Sequence, residues 1–158
     1  MRKLIILICF IQTLSTEAYS KSTILFLGDG MGITTITAAR IYEGQVKGID
    51  GESHSLSFES FENVAFVKTY SADAQIPDSA GTMSAIMTGQ KTRSGVISVG
   101  PKYKRGDCEG VLLDSRATLL ELAEKAGLKT GIIPTARITD ATPAATYAHA
   151  SDRTWEND

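Results

Sequence analysis

Histidine and cysteine are scarce in this chain, with two of each among 158 residues. Histidine is the usual base that activates a hydroxyl nucleophile, and only His54 and His149 are on hand. His54 lies in a loop with Gly51 and Ser53 and reads as solvent-exposed. His149 follows "TPAATYA" and reads as a structural hydrogen-bonding group. Few imidazoles and thiols also leave zinc almost none of the nitrogen and sulfur ligands it favours beside oxygen. A surplus of one charge is missing too. Sixteen basic and eighteen acidic residues give a net charge of −2, so there is no electrostatic footprint for nucleic acid. No internal repeat or low-complexity run interrupts the chain. The apolar run "LIILICFI" is too short to cross a bilayer as a settled helix.

What is present suits one domain with a packed core. Hydrophobic residues make up 42% and charged residues 22%, ordinary values for a globular protein and far from those of a disordered one. The N-terminus stands apart. A basic "MRK", the apolar run and a polar stretch ending in Ala18-Tyr19-Ser20 read as a secretory signal cleaved after Ser20. Residues 1–20 are therefore expected to be a signal peptide, and the mature chain is expected to be exported to the periplasm or the exterior. Ile8 before Cys9 argues against a lipoprotein. Only Cys108 then remains, and a lone cysteine in an exported protein points to a partner elsewhere.

Apolar runs alternate with amphipathic ones. Thr23–Leu27, Val64–Thr69 and Thr130–Ile133 read as buried strands, with a short strand over Val96–Val99. Ile33–Tyr42 reads as a helix with Ile33, Ile36 and Ile41 on one face, followed by a loop over Gly44–Ser57. Asp78–Thr88 reads as a second helix, with Met83, Ile86 and Met87 inward and Gly89 at its end. Pro101–Gly110 is charged and turn-rich. Asp114 is expected to cap a helix through Lys125, with Leu119, Leu120, Ala123 and Ala126 inward. A short helix is expected from Pro143 to His149, with Thr142 before it. Strands alternating with helices predict an α/β fold with a largely parallel sheet.

Ligands of such sheets gather beyond the carboxyl ends of the strands, and Asp29 follows "TILFL" there, inside "GDGMG". The glycines let the backbone approach something closely. A dinucleotide loop needs G-x-G-x-x-G, which this stretch lacks, and a carboxylate would repel a pyrophosphate. A cation explains Asp29 better; a turn or helix cap is the alternative. In "IPDSAGTMSAIMTG", Ser79 opens a helix, where the free amides and the dipole favour an anion such as phosphate. A serine hydroxyl needs activation. With no histidine at hand, a metal remains as the activator. Asp78 is either a plain N-cap or the orienting group of a nearby cation. In "TDATPAATYAHASDR", Asp140 and Thr142 are hard oxygen donors suited to magnesium, and the planar fork of Arg153 suits a two-point grip on phosphate. Singly, each residue is better explained by a cap or a surface position. Together they are the parts of a metal-assisted phosphoryl-transfer centre.

With these segments in view, the sequence resembles the alkaline phosphatase family. "FLGDGMGITTITAARI" is similar to the family's first metal-binding segment, "IPDSAGTMSAIMTGQKTRSGVISV" to its nucleophile segment, and "GIIPTARITDATPAATYAHASDRTWEND" to its magnesium and arginine segment. The likeness runs in order from about Ser22 to Asp158. It implies a three-layer α/β/α sandwich with a mostly parallel central sheet, of which residues 21–158 are the N-terminal part of the catalytic domain. It implies that Ser79 is the nucleophile and forms a phosphoserine, and that Asp29 ligates a zinc and the magnesium. Asp140 would bind or support the magnesium, Thr142 would ligate it, Arg153 would clamp phosphate oxygens and Asp78 would orient Arg153. The implied cofactors are two zinc ions and one magnesium ion. The implied partners are small phosphate esters, and a homodimer, since family members are often dimers. Many relatives carry histidine at the position of Asp140, and aspartate there agrees with magnesium. Pro134 departs from the β-branched residue common in the family. The family's remaining zinc and magnesium ligands and a disulfide partner for Cys108 would lie downstream, so the chain reads as a fragment expected to be inactive and unstable alone. The competing functions are an exported phosphate-binding or catalytically dead homologue, and a related phosphodiesterase or sulfatase-type hydrolase.

Overall fold

The computed structural model describes residues 22–157; the expected signal peptide, residues 1–20, lies outside the described residues. Among the described residues five α-helices follow one another: α1 (Ile33–Val46), α2 (Ser79–Thr88), α3 (Cys108–Asp114), α4 (Leu119–Lys125) and α5 (Ala141–Ala144), with a 3-10 turn at Ser57–Ser60 between α1 and α2. None of these helices is long and apolar enough to cross a membrane.

The core forms where α2 meets α5 and α4. Ala80, Met83 and Met87 of α2 pack with Ile97, Ala141, Ala144 and Ala145. Spacings of three and four put these α2 residues on one stripe, and burying each methionine contributes about 1.5–3 kcal/mol. Buried Ser84 lies in the same stripe and accepts the Ser98 N–H at 2.8 Å while donating to the Val96 carbonyl at 3.3 Å. Ile86, expected to point inward, is instead 49% exposed, because it stands off the 80-83-84-87 stripe. Asp78 caps α2 by accepting the Gly81 N–H, and Gly89 closes it in the left-handed region.

Helix α1 runs four residues past its expected end at Tyr42. Gly44 belongs to the helix, not to a loop. A side chain there would sit 2.8 Å from the Gly51 Cα, so the glycine lets the following chain turn back against the helix. The helix expected from Asp114 to Lys125 is two helices. Asp107 caps α3, of which Asp114 is the last residue. Thr118 caps α4 through a reciprocal box, its hydroxyl accepting the Glu121 N–H and its own N–H reaching the Glu121 carboxylate. Threonine with glutamate three residues on satisfies two orphan amides, which outweighs the single acceptor of Asp114. Leu119 and Ala126 are exposed; Leu120 packs against the core. Helix α5 starts two residues earlier than expected and ends sooner, because Asp140 caps it at the Ala141 N–H.

The strands expected at Thr23–Leu27, Val64–Thr69 and Thr130–Ile133 are not formed among the described residues. Phe26, Phe66 and Ile133 are 89%, 92% and 99% exposed. A strand needs neighbours for its N–H and C=O groups, and these segments have none in the described chain. In place of the short strand at Val96–Val99 there are two isolated antiparallel bridges, Ile97 with Ala150 and Val99 with Ser115. Val96, Ile97 and Val99 are buried there.

Candidate functional site

The turn at Asp29–Gly30, the start of α2 and the start of α5 meet at one place. Asp29 Oδ1 accepts the Ser79 hydroxyl at 2.9 Å, and its Oδ2 accepts the Thr142 hydroxyl at 2.7 Å. Ser79 is the first residue of α2, beside its cap, so its oxygen sits at the positive end of the helix. Thr142 is the second residue of α5. Asp140 does the capping of that helix, and the Thr142 hydroxyl is thereby free to reach Asp29.

Arg153 joins the same two helix starts from the other side. One of its terminal nitrogens donates to Asp78 Oδ2 at 3.1 Å, and the other to Asp140 Oδ1 at 3.3 Å. The four side-chain bonds close a ring: Asp29 to Ser79, its neighbour Asp78 to Arg153, Arg153 to Asp140, and Thr142 back to Asp29. All six residues singled out in the sequence lie in this ring. Asp78 uses both of its carboxylate oxygens. Its Oδ1 caps α2 at Gly81, while its Oδ2 holds Arg153 and accepts the Gly95 N–H at 3.0 Å. Partial burial pushes the Asp78 carboxyl up, but the Gly95 and Gly81 amides and the Arg153 guanidinium outweigh it and hold the group below the usual carboxylate range.

Three supports leave no mark on the sequence pattern. Gly95 offers a backbone N–H, which no side-chain motif signals. Arg137 grips Glu156 at two points, 2.9 and 2.8 Å, and Thr139 donates to the same carboxylate at 2.7 Å. That clamp ties the approach to Asp140 to the chain beyond Arg153. The Arg137 hydrogen bonds, then Thr139, draw the Glu156 pKa down to about 2. Its members are two charged residues and a threonine in ordinary loop positions, so spacing alone could not pair them.

The donors gathered at Asp29 are hard oxygens: a carboxylate and two hydroxyls, with Asp140 nearby through Arg153. That set fits magnesium. It does not complete a zinc site, which needs imidazole or thiolate. Among the described residues no three His, Cys, Asp or Glu side chains cluster as metal ligands. His149 is engaged elsewhere, its ring nitrogens 3.0 Å from the Ser98 carbonyl and 3.0 Å from Glu121, a structural use as expected. His54 is half-buried near Glu43 and Lys47, not solvent-exposed. Cys108 is a free, exposed thiol at the start of α3.

Comparison with known proteins identifies the family. The family model described as alkaline phosphatase matches residues 20–158. Alkaline phosphatase 4 of Drosophila melanogaster is 46% identical over 152 residues, covering 93% of this chain and 25% of that protein. The human tissue-nonspecific isozyme is 43% identical over 148 residues, covering 94% of this chain and 28% of that protein. The chain thus spans about a quarter of the length of these relatives. Among solved structures, alkaline phosphatase from the Antarctic bacterium TAB5 superimposes with a TM-score of 0.56 at 30% identity, over 66% of this chain and 28% of that one. A histidine-to-glutamate variant of that enzyme with magnesium bound gives a TM-score of 0.65 at 29% identity, over 81% of this chain and 32% of that one.

Proposed function

The chain belongs to the alkaline phosphatase family, and from that premise we propose that the full-length protein hydrolyses phosphate monoesters through a phosphoserine on Ser79. The observation that carries the proposal is the closed ring of hydrogen bonds from Asp29 to Ser79, Arg153 and Thr142. It holds a nucleophile, an acceptor for its proton and a phosphate-binding fork together before any substrate arrives. Such preorganisation is what lowers a phosphoryl-transfer barrier.

Each residue has a share in the reaction. Asp29 accepts the Ser79 hydrogen and so fixes the orientation of the hydroxyl. The positive end of α2 favours the oxygen as it gains negative charge. Arg153, already oriented by Asp78 and Asp140, donates to two non-bridging oxygens of the bound phosphoryl group. The serine hydroxyl passes its proton to Asp29 as its oxygen forms a bond to phosphorus; the bond to the ester oxygen breaks, and that oxygen keeps the electron pair and takes a proton from water to leave as the alcohol. Water then cleaves the phosphoserine, restoring the hydroxyl and releasing inorganic phosphate. Asp29 and Thr142, with support from Asp140, are the residues that would hold a magnesium ion, which supplies charge for the activated hydroxyl and the phosphoryl oxygens. Two zinc ions complete the family's cofactor set. Asp29 and Ser79 are the residues of this chain that would offer them oxygen ligands.

The proposal extends to the wider protein. The fold is the alkaline-phosphatase sandwich with a mostly parallel sheet, to which the three unpaired apolar segments contribute strands. Residues 1–20 direct export, small phosphate esters are the substrates, and a homodimer is the assembly. The test is phosphate labelling of the full-length protein in an acid quench. Wild type should trap a covalent phosphoserine, while Ser79→Ala should trap none and lose most turnover. Labelling of Ser79→Ala at the wild-type level would refute the assignment. A chelator should abolish turnover; phosphate binding with no turnover and no metal requirement would make the protein a binder instead.

A further inference from the structure

The segment that carries Arg153 is fastened on several sides. Ala150 exchanges backbone hydrogen bonds with Ile97 at 2.8 and 3.0 Å. The Ser151 carbonyl accepts the Gly106 N–H at 2.9 Å, and its hydroxyl donates to the Asp107 carbonyl. Asp152 is gripped at two points by Arg105, with Nε to Oδ2 at 2.9 Å and a terminal nitrogen to Oδ1 at 2.8 Å. Oδ1 also accepts the N–H and the hydroxyl of Thr154, both at 2.9 Å. Arg153 itself donates its backbone N–H to the Gly95 carbonyl at 2.8 Å.

Arg105 touches both of the neighbours that fix Arg153. On one side it holds Asp152, the residue before it. On the other its guanidinium lies over Gly95, where an added Cβ would be 2.6 Å from Nε. Gly95 has a φ of +76° and donates to the same Asp78 oxygen that Arg153 reaches. A side chain at position 95 would therefore displace Arg105 as well as strain the backbone. The Arg105 side chain is 45% exposed. An ion pair that open to water adds little to stability, but two parallel bonds to a carboxylate define an orientation sharply. Hydrogen bonding by Arg105 keeps the Asp152 carboxyl far below its ordinary range, so the pair stays charged throughout the working pH range.

We propose that the Arg105–Asp152 pair is a positioning device for Arg153, fixing the backbone from which its guanidinium reaches between Asp78 and Asp140, and so setting the affinity of the site for phosphate. This rests on Arg153 being the phosphate clamp of a phosphatase. Arg105 has no part in the chemistry. It acts through the place it gives its neighbour.

The experiment compares Arg105→Ala, Arg105→Lys, Asp152→Asn, Arg153→Ala and the Arg105→Ala/Arg153→Ala double variant in the full-length, metal-loaded protein. The readouts are Ki for inorganic phosphate, KM and kcat. Arg105→Ala and Asp152→Asn should each raise Ki about ten-fold with metal content unchanged, as expected when a binding group is misplaced by a fraction of an ångström. Arg105→Lys should recover only part of the loss, because an ammonium cannot make both parallel bonds. In the Arg153→Ala background, Arg105→Ala should change Ki by less than about two-fold, since the two act as one unit. An unchanged Ki in Arg105→Ala, with or without a fall in Tm, overturns the proposal. So does a rise of equal size when Arg153 is already absent. If Arg105→Ala does not fold, the nearly isosteric Asp152→Asn decides the matter by the same criterion. A wild type that turns over no phosphate monoester fails the phosphatase function and the proposal together, whereas an active wild type with an unchanged Ki in the variants fails the proposal alone.

Discussion

Ser79 donates its hydroxyl to Asp29 across fifty residues of sequence, at 2.9 Å. The carboxylate that receives it also receives Thr142 through its other oxygen, so Asp29 sits at the junction of α2 and α5 as the single acceptor for both.

Asp29→Asn is therefore expected to do more than remove a charge. The amide keeps the volume but turns one oxygen into a donor, which meets either Ser79 or Thr142 with a mismatched proton. If the full-length protein has the proposed activity, kcat should fall by at least about 100-fold, as for loss of a preorganised electrostatic group, and magnesium content should drop. Metal analysis beside steady-state kinetics checks both; full activity with full magnesium would remove Asp29 from the site.

Arg153→Ala should leave the metal content intact and weaken phosphate. Loss of charge-assisted hydrogen bonds of about 1.5–3 kcal/mol corresponds to roughly 10- to 100-fold in Ki. Arg153→Lys should not restore it, since a point charge cannot bridge Asp78 and Asp140 while gripping two phosphate oxygens. An inhibition constant for phosphate equal to that of wild type in Arg153→Ala would count against the clamp.

Ser84→Ala tests the core beneath the site. The Ser84 hydroxyl is the partner of the buried Ser98 N–H. Removing it leaves that donor unsatisfied and should cost about 1–3 kcal/mol. Denaturant unfolding of the full-length protein measures this; a loss under a few tenths of a kcal/mol would mean that the amide finds another partner.

The Glu156 clamp makes a prediction about acid. Its pKa falls from 4.5 to about 2 in the folded chain. A depressed carboxyl contributes stability that is complete above the unfolded value and is lost as pH falls toward the folded one. The Tm gap between wild type and Glu156→Gln should be constant from pH 7 to about pH 5 and should narrow as pH falls from about 4.5 toward 2. A gap that is flat or grows over that interval would contradict the clamp. The variant serves as its own control for metal loss in acid, which both proteins share.

Four of the six site residues are legible in the sequence because they are small polar groups at helix starts. Asp78, Ser79, Asp140 and Thr142 stand where an α-helix exposes its free amides; apolar spacing locates the start of α2, and Pro143 locates that of α5 to within two residues. Helix α2 is legible for the same reason, although its stripe runs through Ser84 and not through Ile86. The division between α3 and α4 is written at Thr118-x-x-Glu121, a stronger start than the acid at Asp114 that the expected helix began from. The strands were expected from apolar content alone, and a strand exists only with neighbours. Phe26 and Phe66 are exposed, and no described segment pairs with theirs to form a sheet. Ion pairs such as Arg137 with Glu156 and Arg105 with Asp152 leave no trace in any local pattern. Loop charges are placed by tertiary folding, not by periodicity.

The ring of hydrogen bonds has a temporal side. Its links span 13, 50, 75 and 113 positions along the chain. Closing the longest loop costs roughly 2 kcal/mol more entropy than closing the shortest, and distant contacts are the slow ones to form. Arg153 can meet Asp140 early, whereas Thr142 meets Asp29 only once nearly the whole described polypeptide has wound up. During refolding, recovery of the helical signal should thus run ahead of the return of turnover, and enzymatic competence should mark the last stage of assembly.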